Sequence, residues 1–517
     1  MLRRSLTFLL AAAACALAPF AASAQGKYVH ANNSPYDNLD PHAVYDVGRA
    51  ASRLNLYDGL YNWVDNPPKL IPWIAESHAI SADGLTYTFK LRRGGKFHDG
   101  ADITAADVIY SIERMLATKK GASGLFIGLI EPGSTKAPDP YTVVFTLKEP
   151  SAVFLSTTPE IKVVNSKLVQ KNEKAGDWGQ EWLARNDAGS GSFMLRRYDP
   201  AIGFVAARFK DHFLGWEAGQ KWFDEIEFRS VIDTNTRVLG MIKGDYLGTD
   251  GYLPYDQLER LRKADHIQIL EAESMRVFYF ALNTKRPPLD NVRFRRALSY
   301  AFDYDGFIND ILKGSVVRNP SPNPNNLWAT PADLKGYSYD LEKAKAEIAA
   351  SGAAVRPLTI NPLAGFPETE QAAVLLANSL RKIGIEAKVE SSPWSVVSDR
   401  MRSADTMHDM VPLWKSTYYA DPNNWVGELF TTRHLGGRNS TQYSNPELDK
   451  LTDAALRTTD QAERTKLYDQ AIRLITDQAV GIFVYNTKWF GPYAKKVGGI
   501  RFSPIGSAQE MRWAYFN

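Results

Sequence analysis

Apolar and polar residues alternate at two places early in the chain. In 84–92, GLTYTFKLR, Leu85, Tyr87, Phe89 and Leu91 interleave with Thr86, Thr88, Lys90 and Arg92; in 141–149, YTVVFTLKE, Tyr141, Val143, Phe145 and Leu147 repeat the pattern. A period of two belongs to a strand with one buried face, so these stretches predict two strands of one antiparallel sheet. Between them, Thr104 followed by Asp107 predicts a helix start. The hydroxyl can accept from an early backbone N–H, and the carboxylate favours the positive end of the helix. Asp99-Gly100 supplies the turn that stops the first strand.

From about Asn291 the period lengthens. NVRFRRALSYAFDYDGFINDILKG has apolar residues at helical spacing with Gly314 as the stop. LTINPL predicts a strand, Glu368 to Lys382 a helix ended by Gly384, and IEAKVE the next strand, a βαβ unit whose crossover makes a parallel pair. Trp394 to Arg402 then reads as helix, HDMVPLW as strand, Pro446 to Arg457 and Ala462 to Thr476 as helices, and VGIFVYN as a closing strand. The fold class predicted is α/β. Ligands in such a lobe sit beyond the carboxyl ends of the strands. The last thirty or so residues are too few for a domain and are expected to return to the first lobe, giving crossings near Phe280 to Thr284 and near Tyr485 to Lys488 that would hinge a cleft.

Composition narrows the function classes. Arg3 and Arg4, an apolar run from Leu6 to about Ala18, and Ala22-Ser23-Ala24 form an export signal over 1–24, cut at Ala24/Gln25; the double arginine is also a weak twin-arginine pattern. The only cysteine, Cys15, falls inside that segment. Cleavage there leaves no thiol for disulfides, nucleophiles or metals, and the rival reading of Cys15 as a lipid-bearing residue lacks the usual leucine in Ala12-Ala13-Ala14. Losing Arg3 and Arg4 takes the formal net charge of +3 to +1, so no field for nucleic acid or anionic lipid is expected. Eight histidines, among them His42, His98, His266, His408 and His434, are dispersed without metal-ligand spacing. Neither a cofactor nor a bare metal site is expected, though a metal chelate remains open as a ligand.

His98-Asp99 could suggest half of a catalytic site. Turn chemistry already accounts for both residues, and no Gly-x-Ser-x-Gly or His-Glu-x-x-His accompanies them. Ser379 to Lys382 forms one Ser-x-x-Lys without its companion motifs. An enzyme is therefore not expected.

Four collinear segments carry a resemblance: 74–115 (IAESHAISADGLTYTFKLRRGGKFHDGADITAADVIYSIERM), 189–200 (GSGSFMLRRYDP), 280–303 (FALNTKRPPLDNVRFRRALSYAFD) and 443–471 (YSNPELDKLTDAALRTTDQAERTKLYDQA). Together the chain resembles the extracellular solute-binding proteins of the peptide and nickel class, which serve ABC importers. The resemblance implies a two-lobed, hinge-closing, periplasmic monomer that hands a small solute to a membrane permease. It implies lobe I over 25–282 plus 488–517, with an accessory subdomain at about 70–185, and lobe II over 283–487.

Ligand chemistry departs from the family. Free-peptide binders are similar in a Gly-Trp-x-x-Asp-Tyr-x-Asp-Pro-x-Asn stretch whose first aspartate meets the peptide amine. Here the stretch is WKSTYYADPNN, 414–424, and Tyr418 occupies that position. An ammonium buried there would lose a charge-assisted hydrogen bond of about 1.5 to 3 kcal/mol and recover about 0.5 to 2 kcal/mol from a ring face. The loop LAGFPETE also lacks the arginine that peptide relatives offer the ligand carboxylate. The resemblance and the ring-rich sequence together nominate Trp394, Trp414, Tyr418, Tyr419 and Trp425 as ligand contacts, each against a reading as core. Asn32 and Asn33 are nominated in the amino-terminal stretch HANNSPYDNLDPHAVYD, against a reading as turn residues. Asp421 before Pro422 is expected to cap a helix. The expected ligand is peptide-class, with an opine or other amino acid conjugate, an oligosaccharide or a metal chelate as alternatives; docking on a receptor instead of a permease is not separable by sequence.

Overall fold

A computed structural model of the protein describes residues 26–45, 48–251, 253–415, 418–505 and 509–517, and the expected export signal lies outside them. The described strands include an eleven-stranded mixed sheet. Its order is Ala387–Val389, Leu358–Ile360, Met410–Lys415, Ile267–Leu282, Gly481–Ala494, Gly248–Thr249, Lys27–Asn32, Glu225–Ser230, Gly203–Arg208 and Phe193–Asp199, with Val316–Arg318 added against Gly481–Ala494. The two long strands, Ile267–Leu282 and Gly481–Ala494, pair antiparallel along most of their length, with a register break between Glu273 and Val277.

The short-period patterns formed as expected. Thr86–Leu91 pairs antiparallel with Thr142–Thr146 in a separate four-stranded sheet, and Tyr87, Phe89, Leu91, Val143 and Phe145 are its buried face. The helix Ala105–Thr118 starts in a capping box of Thr104 and Asp107 and lies on that sheet through Val108, Ile112 and Met115. In the later region Leu358–Ile360 and Ala387–Val389 are parallel, joined through the helix Pro367–Lys382. One helix came out shorter than its pattern. Val292–Ala301 ends at Phe302, and a wider π turn over Gly306–Ile311 carries the chain towards Gly314. The side chain of Asp303 accepts from the Gly306 N–H, a local bond that competes with helix continuation.

Buried apolar residues fall into separate clusters on either side of the register break. Phe278, Phe280 and Leu282 pack with Phe294, Leu298, Leu358, Leu376 and Ile482, while Tyr28, Phe204, Ile226 and Phe228 pack with Tyr493, Val497 and Met511. The segment 509–517 is fixed on the side of the second group, which holds Met511 and Ala514. Asn55 bonds the backbone of Gln509 and Met511, and the Arg512 guanidinium donates to the Gly215 carbonyl and lies 3.0 Å from His212 Nδ1.

His98 is structural. Its Nδ1 lies 2.7 Å from Asp187 Oδ2 and its Nε2 2.8 Å from the Gly191 carbonyl, while Asp99 accepts from the Ala101 N–H and from Asn165 Nδ2. Among the described residues no helix is long and apolar enough to cross a membrane.

Candidate functional site

Met410–Lys415 runs parallel to Leu358–Ile360, so Lys415 is the last residue at the carboxyl end of its strand. Three residues after Tyr418, Asp421 caps a short 3-10 turn, Pro422–Asn424, by accepting from the Asn423 N–H. Asp421 does more than cap. Arg464 reaches it with Nη1 at 2.8 Å from Oδ2 and Nη2 at 2.9 Å from Oδ1, a bidentate pair in which both side chains are almost fully buried. This pair fixes the loop that carries the aromatic residues.

The Tyr418 ring packs closely on Tyr45, ring centroids 4.1 Å apart and planes tilted by 30°, and the Arg438 guanidinium sits 4.6 Å from the Tyr418 ring centre. Arg438 Nε is 2.7 Å from Glu428 Oε2, and Glu428 Oε1 accepts from the Tyr419 hydroxyl at 2.5 Å. Asn423 Nδ2 donates to that same hydroxyl. On the amino-terminal side, Arg53 lies 5.4 Å from the Tyr45 ring centre and pairs with Glu160. Lys162 and Glu510 follow behind, with Asn62 Nδ2 donating to Glu510. Aromatic rings and charges therefore link Tyr45 and Arg53 to the loop cluster of Tyr418, Glu428 and Arg438.

Burial acts strongly on these charges. It pulls the Lys415 ammonium down to about 7, helped by Arg438 and opposed by Glu428. It pushes the Glu428 carboxyl up, against the pull of Arg438 and the Tyr419 hydrogen bond. Arg438 stays firmly charged: burial would lower it, but Glu428 and the tyrosines around it raise it. Glu510 is pushed up to about 7 by burial, with Lys162 opposing.

The residues nominated from sequence have diverse settings. Tyr418 is half-buried in the ring stack, and Tyr419 is 1 % exposed with its hydroxyl tied to Glu428. Trp414 faces the other side of the sheet, donating from Nε1 to the Tyr485 hydroxyl beneath the Arg276 guanidinium, 4.7 Å from its ring centre. Trp425 is fully buried among Met275, Val277 and Leu327, and its Nε1 has no acceptor. Trp394 opens the helix Trp394–Arg400 and is 51 % exposed. Asn32 is fully buried, donating from Nδ2 to the Tyr36 hydroxyl and the Gly48 carbonyl, and its Oδ1 is unsatisfied. Asn33 donates its backbone N–H to Asp250 Oδ2 and accepts from Ser34.

Sequence reasoning missed Tyr45, Lys415, Glu428 and Arg438. Lys415 was visible inside the quoted WKSTYYADPNN stretch as a cation at a strand end; Glu428 and Arg438 enter through tertiary folding and give no local signal.

Further contacts join the two sides. The Ala152 N–H donates to the Leu456 carbonyl at 2.8 Å, Glu149 lies 3.5 Å from Arg457 and 3.9 Å from Arg433, and Trp63, Val153, Tyr419 and Ile505 form one apolar cluster. Among the described residues no group of three or more His, Cys, Asp or Glu side chains is arranged to hold a metal ion.

Residues 69–437 match the model of the bacterial extracellular solute-binding proteins, family 5. A probable D,D-dipeptide-binding periplasmic protein of Escherichia coli K12 is 32 % identical over 437 residues, 84 % of this chain and 82 % of that protein. Heme-binding protein A of Haemophilus influenzae is 29 % identical, covering 88 % of this chain and 86 % of its own. Among solved structures, the ABC transporter-associated periplasmic binding protein DppA of Helicobacter pylori, in complex with the peptide STSA, superposes with a TM-score of 0.84 at 25 % identity, covering 95 % of this chain and 98 % of that one.

Proposed function

The chain belongs to the family 5 bacterial extracellular solute-binding proteins, and we propose on that premise that it captures a small solute outside the cytoplasmic membrane and delivers it to an ABC permease. The observation that carries this is the Tyr45–Tyr418 stack with Arg438 beside it, because it unites segments from both ends of the molecule beside the carboxyl end of a strand. A cleft that buries a ligand between two lobes needs such a meeting line.

The proposed lobes are 25–282 with 488–517, carrying an accessory subdomain at about 70–185, and 283–487. The pairing of Val277–Leu282 with Met410–Lys415 and the register break at Glu273–Val277 favour a hinge slightly before the boundary read from sequence. The proposed binding side chains are Tyr45, Lys415, Tyr418, Arg438 and Trp425, with the Asn32 side-chain oxygen as a further acceptor. Tyr419 and Trp414 support this set from behind, and the protein acts as a periplasmic monomer.

Relatives named for a D,D-dipeptide and for heme share this family, so membership leaves the ligand open. A thermal-shift panel of di- and tripeptides, opines, oligosaccharides and nickel chelates tests the reading. Saturation near a hundred times Kd stabilises by about 2.7 kcal/mol, or roughly 2 to 3 °C for a chain of this size. No shift with any class, together with turnover of one of them, would replace the binding reading with an enzymatic one. Growth of a deletion strain on the ligand separates import from reception.

A further inference from the structure

The lobe II wall of the site has more donors than acceptors. The Lys415 ammonium makes no hydrogen bond or ion pair with any described residue, although the side chain is half-buried. Its charged neighbours are Arg438 and Glu428; Glu428 Oε1 accepts from the Tyr419 hydroxyl, and Oε2 is ion-paired to Arg438 without a hydrogen bond. A second donor lies on the same face. Val277 sits directly opposite Lys415 in the antiparallel ladder, so their side chains project to one side, and Val277 packs in the cluster that buries Trp425. The Trp425 indole N–H, fully buried, has no acceptor.

Buried donors in native proteins are nearly always matched. Two unmatched donors, one of them cationic, at the carboxyl end of a strand call for an acceptor with negative charge. Resting on the solute-binding reading above, we propose that the solute carries a carboxylate and that this group is received by the Lys415 ammonium and the Trp425 indole N–H, with Arg438 lending charge behind it. Recognition on this wall is therefore of an acid end, as in an N-blocked peptide or an opine-type conjugate, and not of an ammonium. The low proton affinity of Lys415 fits a cation kept unpaired, and binding of an anion should draw a proton onto it.

The test is calorimetry of the mature protein with matched pairs: N-acetylated di- and tripeptides and opines, each as free acid and as amide. The acid should bind at least about tenfold tighter than its amide, and that preference should vanish in Lys415→Met. Trp425→Phe, which keeps an aromatic ring but removes the N–H, should narrow it in part. Titrations at pH 8 in buffers of different ionisation enthalpy should register proton uptake in the wild type and none in Lys415→Met. Acid and amide binding alike, or an acid preference that survives in Lys415→Met, would overturn the carboxylate inference and leave the solute-binding reading standing. Failure of both members of every pair to bind, in protein that melts cooperatively, would overturn the two together for these solutes.

Discussion

Removing the Tyr418 ring should weaken ligand binding by a calculable amount without unfolding the protein. In Tyr418→Ala the stack on Tyr45, with centroids 4.1 Å apart, and the cation–ring contact with Arg438 at 4.6 Å both disappear. An aromatic pair is worth about 0.5 to 1.5 kcal/mol beyond its buried area, and a partly exposed cation–π contact about 0.5 to 1 kcal/mol. Tyr45 and Tyr418 belong to different proposed lobes, so both terms stabilise the closed arrangement. Losing about 1 to 2.5 kcal/mol from it raises the apparent Kd by roughly 5- to 70-fold, because affinity scales with the population of the competent state. Tyr418 is half-buried at a loop, away from the main clusters, so Tm of the ligand-free protein should move by about 1 °C or less. Tyr418→Phe keeps the ring and should stay within about threefold of wild type. Calorimetry with any solute from the thermal panel, paired with small-angle scattering of ligand-free protein, reads affinity and closure separately. An unchanged Kd in Tyr418→Ala would refute the placement of the cleft at this stack, and a large fall in Tm would show that the ring holds the lobe together instead.

Other perturbations separate binding from scaffolding. Asp421→Ala strands the Arg464 guanidinium in a buried site and should cost about 3 kcal/mol, lowering Tm by roughly 6 to 12 °C in a lobe of about 200 residues; a shift under about 2 °C would mean the pair is not structural. His98 is raised in the folded state, since Asp187 and the Gly191 carbonyl outweigh the burial that would lower it. Its contribution is fully present below the unfolded value near 6.5 and fades as pH rises through the raised folded one, so urea melts should show the stability gap between wild type and His98→Gln narrowing as pH rises above about 6.5. A pH-independent gap would contradict this, and ligand affinity should be the same in both proteins. Tyr418→Asp should gain affinity for free-amine peptides through a new carboxylate; no gain would count against the alignment that equates this position with the amine-binding aspartate. Trp394→Ala should leave Kd unchanged within about twofold, and a larger loss would bring the exposed helix start at 394 into the site.

Periodicity exposed the scaffold better than the site. Tyr87, Phe89, Leu91, Val143 and Phe145 alternate because one face of their sheet is buried under the helix Ala105–Thr118, and the Thr104–Asp107 box is a local interaction readable within four residues. The shortened helix at Phe302 shows where local reading fails: Asp303 offers the backbone a competing bond that an apolar period does not register. The site is mostly non-local. Tyr45, Glu428 and Arg438 meet Tyr418 only through tertiary packing, so nothing in their own neighbourhoods marks them. Aromatic content alone did not separate Trp394, exposed on a helix, from Trp425, buried beside Val277, because both satisfy the same composition rule.

The contacts made by 509–517 order events during biosynthesis. Asn55, which donates to the Ala51 carbonyl within its own helix, also bonds the backbone of Gln509 and Met511, the Arg512 guanidinium lodges beside His212, and Phe516 donates its N–H to the Lys221 carbonyl. Every one of those partners lies before residue 222 and is made early by the ribosome, and every residue that completes them lies after residue 508. The packing around Asn55, His212 and Lys221 thus stays open on a nascent chain until 509–517 has been made.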